Sequence, residues 1–132
     1  MLPLINVNER IDLCISVDPA IVEPETGREP CRAIPKRDCK ISTDGPLVLT
    51  VRPLRSREFV RVMDSSSVSL TEAALRAAES GLVAITGPGL SICEPKEVLE
   101  AVDRLPHYAL IAVGSYLIEQ SAAPPDPKEP AA

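Results

Sequence analysis

The chain has 132 residues, an ordinary share of apolar and charged side chains, and a formal net charge of −5. This length favours one domain with a core large enough to fold alone. The acidic balance and the small number of aromatic residues, one Phe and two Tyr, argue against nucleic-acid binding, which uses basic patches and aromatic stacking platforms.

Neither export nor membrane insertion is indicated. The first residues lack the basic and apolar regions of a signal peptide. No segment approaches the roughly 18 consecutive apolar residues that a membrane-spanning helix requires. We therefore expect no membrane partner and a location in the cytoplasm.

The N-terminal part is predicted to be a small β element with a proline-rich arm. Residues 10–17 alternate apolar and polar side chains, which is typical of a half-buried strand. Residues 19–46 contain five prolines, which oppose both helix and central strand. This segment is either an extended arm that lies over a neighbouring molecule or a long loop with a short hairpin. A second strand is predicted over residues 47–52.

A short helix is predicted over residues 57–63, with Ser56 as its N-cap. Its apolar side chains are expected to face inward, namely Phe59, Val60, Val62 and Met63. Residues 64–67 are expected to be a linker.

A second helix is predicted from Leu70 to about Ser80. Ser69 and Glu72 have the spacing of an S-x-x-E capping box, and Gly81 is a natural C-cap. Its alanine-rich face predicts a close approach to another helix.

Two further helices are predicted to meet at Leu105-Pro106. Residues 95–105 carry one apolar stripe, and residues 106–121 are apolar on more than one side. A helix of the second kind lies inside a bundle or at an interface. Before this pair, residues 82–85 form a short apolar run, either a helix end or a strand, and residues 86–89 form a loop.

The last two helices and a basic cluster provide the candidate interaction surface. We expect repeated copies to associate through the 98–118 face, and the arginines to contact an acidic partner or, alternatively, to form surface salt bridges. The residues of this predicted interface are Val98, Val102, Leu110, Ile111, Tyr116, Leu117, Ile118, Arg52 and Arg55.

Catalytic and cofactor-binding motifs are not evident. His107, the only histidine, has no carboxylate placed to orient it, so we expect no enzyme and no cofactor. The four cysteines lack the close spacing of a zinc site, and reduced thiols are the simpler interpretation. A small metal-binding domain that uses Cys31, Cys39, Cys93 and His107 remains the alternative from another functional class.

From residue 47 onward the order of features is distinctive. The predicted strand runs into the motif Arg52-Pro53-Leu54, and a short helix with Arg57-Glu58-Phe59 follows. After these come Ala74-Leu75, Ala78 and Gly81-Leu82-Val83, and finally Val98-Leu99 and Leu105-Pro106. Over roughly residues 45–122 this order resembles small tailed-bacteriophage morphogenesis proteins, often labelled tail assembly chaperones. The resemblance implies a protein that binds tail or capsid subunits in the host cytoplasm without catalysis. The alternative is a minor structural or cement protein that stays in the virion.

Together these features predict an α+β fold. Residues 1–54 would hold the β element and the arm, residues 55–121 a C-terminal bundle of about four short helices, and residues 122–132 a flexible proline-rich tail.

Overall fold

The computed structural model describes residues 4–6, 8–18, 31–41, 45–64 and 69–122. Most of the predicted arm, residues 65–67 of the predicted linker and nearly all of the predicted tail lie outside these ranges. The elements are β1 Ile11–Ile15, β2 Ala33–Pro35, a 3-10 turn Lys36–Asp38, β3 Val48–Val51, α1 Ser56–Met63, α2 Leu70–Gly81, β4 Leu82–Gly87, β5 Leu90–Ile92, α3 Pro95–Val102 and α4 His107–Ala122.

An antiparallel sheet with strand order β2-β1-β3-β4-β5 forms one layer of the fold. Its register aligns Leu13 with Leu49, Leu49 with Ile85, and Ile85 with Ile92 across four strands. Since residues two apart in a strand share a face, this row defines one apolar surface of the sheet. The helices cover that surface, and the main core lies between the two layers.

The α+β prediction is confirmed, with four helices in the C-terminal part. The structure adds two strands to this part, because β4 and β5 lie between α2 and α3. The sheet therefore takes strands from both sides of the boundary predicted between residues 54 and 55. Within the predicted arm, residues 33–35 form β2, which pairs with β1, so this part of the segment is an edge strand of the protein's own sheet. Pro35 ends this strand at the sheet edge, where a missing N–H is tolerated.

The close packing of α4 against α2 is the main helix–helix contact. Ala73, Ala74, Ala77 and Ala78 are all buried on α2, as the alanine-rich face predicted. On α4, a Cβ atom added to Gly114 would lie 1.7 Å from the carbonyl oxygen of Ala74. The two backbones therefore approach so closely that only glycine fits at position 114.

Three local predictions need correction. The N-cap of α1 is Arg55 instead of Ser56, because the Glu58 carboxylate accepts a hydrogen bond from the Arg55 backbone N–H. Val60 and Met63 are 62% and 40% exposed, and Val62 is the fully buried side chain of α1. Gly81 is the last residue of α2, and an extended Leu82 follows it as the C-cap. At the other end of α2, the Ser69 hydroxyl accepts the predicted hydrogen bond from the Glu72 N–H.

Candidate functional site

Four residues of the predicted interface lie inside the protein's own core. Val98, Val102, Leu110 and Leu117 are buried against the sheet and the neighbouring helices. They are therefore not available to a partner in this structure, which corrects their assignment. The apolar character of α4 on several sides is explained by its position between α2 on one side and β1 and β2 on the other.

The other apolar members of that predicted interface are half-buried. Tyr116 and Ile118 pack against the edge of the core on α4, and Ile111 is half-buried on the same helix. Tyr116 also lines a polar groove of about 550 Å³ beside β2, together with side chains of both charge signs such as Glu9 and Arg37. Burial raises the pKa of the Tyr116 hydroxyl above its ordinary value, so this group stays neutral at pH 7.

The two arginines of the predicted interface have different roles. Arg52 forms a two-pronged ion pair with Glu58, with N–O distances of 2.7 and 2.6 Å, and it also donates to the carbonyl oxygen of Ser80. These contacts connect the end of β3 with α1 and with the end of α2. For Arg52, the structure therefore has the salt bridge that was the alternative prediction, and this salt bridge is partly buried. Arg55 is exposed, and its contact with an acidic partner stays a prediction.

The residues of the metal-site alternative are not brought together. Cys31 Sγ lies 3.9 Å from the carbonyl oxygen of Tyr108, on the helix side of the sheet, whereas Cys39 packs with Cys14 in a separate cluster. Cys93 is exposed just after β5. In the described ranges, no group of three or more His, Cys, Asp or Glu side chains is arranged to hold a metal ion.

An apolar groove of about 640 Å³ lies between the β4–β5 hairpin and α3, and we call it the β5–α3 groove. Its floor and walls are mainly aliphatic, and its rim on α3 is charged. The lining residues are Leu47, Ile85, Leu90, Ile92, Ala101 and Leu105, with Glu97, Glu100 and Arg104 at the rim.

The β4–β5 hairpin places the apolar side chains in this groove. Pro88 and Gly89 form its two-residue turn, and Gly89 has the positive φ of 72° that the third position of a type II turn requires. Leu90 and Ile92, two apart on β5, then point to the same face as Ile85. Leu90 is 42% exposed, which is high for a leucine beside a core.

β5 is also an edge strand. Among the described residues its only strand neighbour is β4, so one side of its backbone has no strand partner there. Natural edge strands are commonly protected by Pro, Lys or a bulge. The opposite edge strand, β2, ends in Pro35. β5 consists only of Leu90, Ser91 and Ile92, so its short length is the protection it has, and it carries no Pro, Lys or bulge.

The charged side chains at the rim of the groove are unevenly distributed along it. Glu97 and Glu100 lie one turn apart on α3, and Arg104 lies one further turn along the chain. All three are exposed. The groove therefore offers two carboxylates near one end and a guanidinium near the other, beside an apolar floor. An extended segment with apolar side chains and a basic residue would match this pattern.

The sequence predictions did not identify this groove. The available signal was the Pro88-Gly89 pair between two short apolar runs, which is a hairpin pattern. We expected residues 86–89 to be a loop and residues 82–85 to be a helix end or strand. The strand alternative is correct for residues 82–85, and β4 extends it to Gly87.

No family model, no curated protein and no solved structure matches this chain.

Of the helices in the described ranges, none combines the length and apolar character that crossing a bilayer requires.

Proposed function

We propose that this chain is a non-enzymatic bacteriophage assembly protein that binds a tail or capsid subunit through the β5–α3 groove. The observation that carries the proposal is the combination of an edge strand without Pro, Lys or a bulge and an adjacent apolar groove. The bacteriophage context is supported by the resemblance over residues 45–122.

The proposed occupant is an extended segment of the structural subunit. Such a segment can add a strand beside β5, because the outer side of β5 offers backbone N–H and C=O groups. Alternate side chains of the added strand would then face Leu90 and Leu105 in the groove. A basic residue in the segment would lie near Glu97 and Glu100, where charge complementarity favours the correct register.

Binding of this type requires no reaction of the protein with its partner. Backbone hydrogen bonds of the added strand would provide affinity, and the groove would select apolar side chains. During assembly the chain would cover an apolar segment of the subunit until that segment reaches its final position. The same contact, if permanent, would make the protein a minor structural or cement component.

A charge placed in the groove should weaken this binding. Leu90→Asp removes apolar contact area and puts a carboxylate beside Glu97 and Glu100, so we expect a dissociation constant at least about tenfold higher. The measurement is calorimetric titration of the purified chain with each purified tail and capsid subunit of the same phage.

Leu99→Asp is the matched control. Leu99 is on α3 but is 61% exposed and does not line the groove, so the same substitution there should leave the affinity unchanged. Equal affinity of both variants for a subunit would contradict the groove as the binding site.

Sedimentation equilibrium of the chain alone tests whether a second copy of the chain, instead of a structural subunit, fills the groove. A dimer that dissociates in the Leu90→Asp variant would show that a second copy is the occupant.

The stage at which the protein acts is a separate question. Mass spectrometry of intact virions from the source phage distinguishes the two possibilities. Absence from virions and abundance in infected cells would favour an assembly chaperone, and stoichiometric presence would favour a structural component.

A further inference from the structure

Two of the four cysteines are brought together on the face of the sheet opposite the main core. Cys14 lies on β1 and is fully buried, and Cys39 follows the 3-10 turn that succeeds β2. With Val48 of β3 they form a small apolar cluster of their own. The sequence places these cysteines 25 positions apart, and only the β1–β2 pairing and the 3-10 turn bring them into contact.

The side chain of Cys39 packs directly against the cluster of Cys14 and Val48. Cys39 Sγ also lies 3.5 Å from the carbonyl oxygen of Pro35 and 3.9 Å from that of Ile34, which fixes its orientation over the end of β2.

The other two cysteines are arranged differently. Cys31 packs toward the main core near Tyr108, and Cys93 is exposed beside the opposite edge of the sheet. Neither belongs to the Cys14–Cys39 cluster. The pairing is therefore selective.

We propose that Cys14 and Cys39 form a reversible disulfide when the protein meets a peroxide. The thiolate of Cys39, the half-buried member of the pair, attacks one oxygen of the peroxide and breaks its O–O bond. With hydrogen peroxide this gives a sulfenic acid on Cys39 and one water after protonation. The sulfur of Cys14 then attacks Cys39 Sγ, the S–O bond breaks, and the Cys14 proton leaves with the hydroxyl group as a second water. The two thiols lose two electrons, and the peroxide gains them.

Cys14 and Cys39 differ in pKa and in accessibility, and this difference explains why Cys39 reacts with the peroxide first and Cys14 second. Burial, together with the neighbouring Cys39, raises the pKa of Cys14 to about 12, so Cys14 remains a thiol and does not react first with an external oxidant. Cys39 is partly accessible, and an oxidant can reach it. Once Cys39 is a sulfenic acid, the adjacent Cys14 resolves it, as a second cysteine does in redox-sensing pairs.

The bond would connect β1 directly to the segment after β2. It would close a loop that contains the whole connection between these two strands. Because a cross-link reduces the freedom of the unfolded chain, the oxidised protein should unfold at a temperature roughly 10 °C higher than the reduced one.

The test is oxidation of the purified full-length chain with stoichiometric hydrogen peroxide, followed by intact-mass measurement and peptide mapping. We expect a loss of the mass of two hydrogen atoms, reversed by dithiothreitol, with the link mapped to Cys14 and Cys39. The double variant C31S/C93S should form the same bond and show the same rise in unfolding temperature.

Cys39→Ser provides the second test, because this half-buried position tolerates a hydroxyl better than the fully buried Cys14. This variant should lose the two-hydrogen mass change and the rise in unfolding temperature. A cross-link mapped to another pair would overturn the proposal. So would a wild-type chain that only gains oxygen atoms at Cys39.

Discussion

Gly114→Ala is expected to destabilise the protein by about 3 kcal/mol or more. The added Cβ would lie 1.7 Å from the carbonyl oxygen of Ala74 and 2.4 Å from its carbonyl carbon. Both atoms belong to the α2 backbone, so no side-chain rotation relieves the overlap, and α2 and α4 must separate. This cost exceeds the roughly 1 kcal/mol that alanine gains over glycine in a helix. Urea unfolding followed by circular dichroism measures the change.

Ser115→Ala is the matched control for this prediction. Ser115 is the next residue of α4 and is half-buried, and its replacement adds no atoms. We expect its free energy of unfolding to lie within about 0.5 kcal/mol of the wild-type value. If Gly114→Ala were as stable as this control, the close approach of the two helices would be refuted.

The second large effect concerns the Arg52–Glu58 ion pair in acid. The hydrogen bonds from Arg52, aided by the Arg55 N–H, lower the pKa of Glu58 from 4.5 to about 2. Because the folded-state pKa is the lower one, this stabilisation is complete above pH 4.5 and is lost as the pH falls toward 2. The pair is partly buried, with side-chain exposures of 23% and 20%, and the pKa difference corresponds to about 3 kcal/mol.

Glu58→Gln should therefore lose about 2 kcal/mol of stability at pH 7, because one neutral acceptor replaces a carboxylate with two charged hydrogen bonds. Its deficit relative to the wild type should shrink as the pH falls from 4.5 to 2. Unfolding curves at several pH values measure this directly.

Glu72→Gln is the comparison for that experiment. Glu72 pairs with Arg76 at 3.3 Å on the open surface of α2, where solvent screens the interaction. We expect a change of less than about 0.5 kcal/mol and an unaltered acid profile. A Glu58→Gln variant with the same acid dependence as the wild type would contradict the assignment of the depressed pKa to Glu58.

Much of the fold was predictable because local signals were strong. The alternation of apolar and polar residues identified β1, and an apolar run bounded by prolines identified β3. The capping residue Ser69 identified the residue at which α2 begins. The break at Leu105-Pro106 separated α3 from α4 as expected. The β4–β5 hairpin was less clear, because its strands are six and three residues long and a short apolar run fits either a strand or a helix end.

The site was harder to predict, for a different physical reason. A pattern of apolar residues shows that a surface is covered, but it does not show whether the chain itself or a partner covers it. Leu110 and Leu117 face their own core because α2 presents alanines that allow α4 to approach. The β5–α3 groove depends on which strand is at the edge, and strand order is a property of the whole sheet.

The pairing of α2 with α4 also has a consequence for the folding pathway. The β4–β5 hairpin closes across two residues, whereas α2 and α4 are separated by β4, β5 and α3. Closing a long loop is entropically unfavourable until many contacts form, so docking of α4 on α2 is expected after the folding transition state. In stopped-flow measurements, Gly114→Ala should therefore accelerate unfolding much more than it slows refolding.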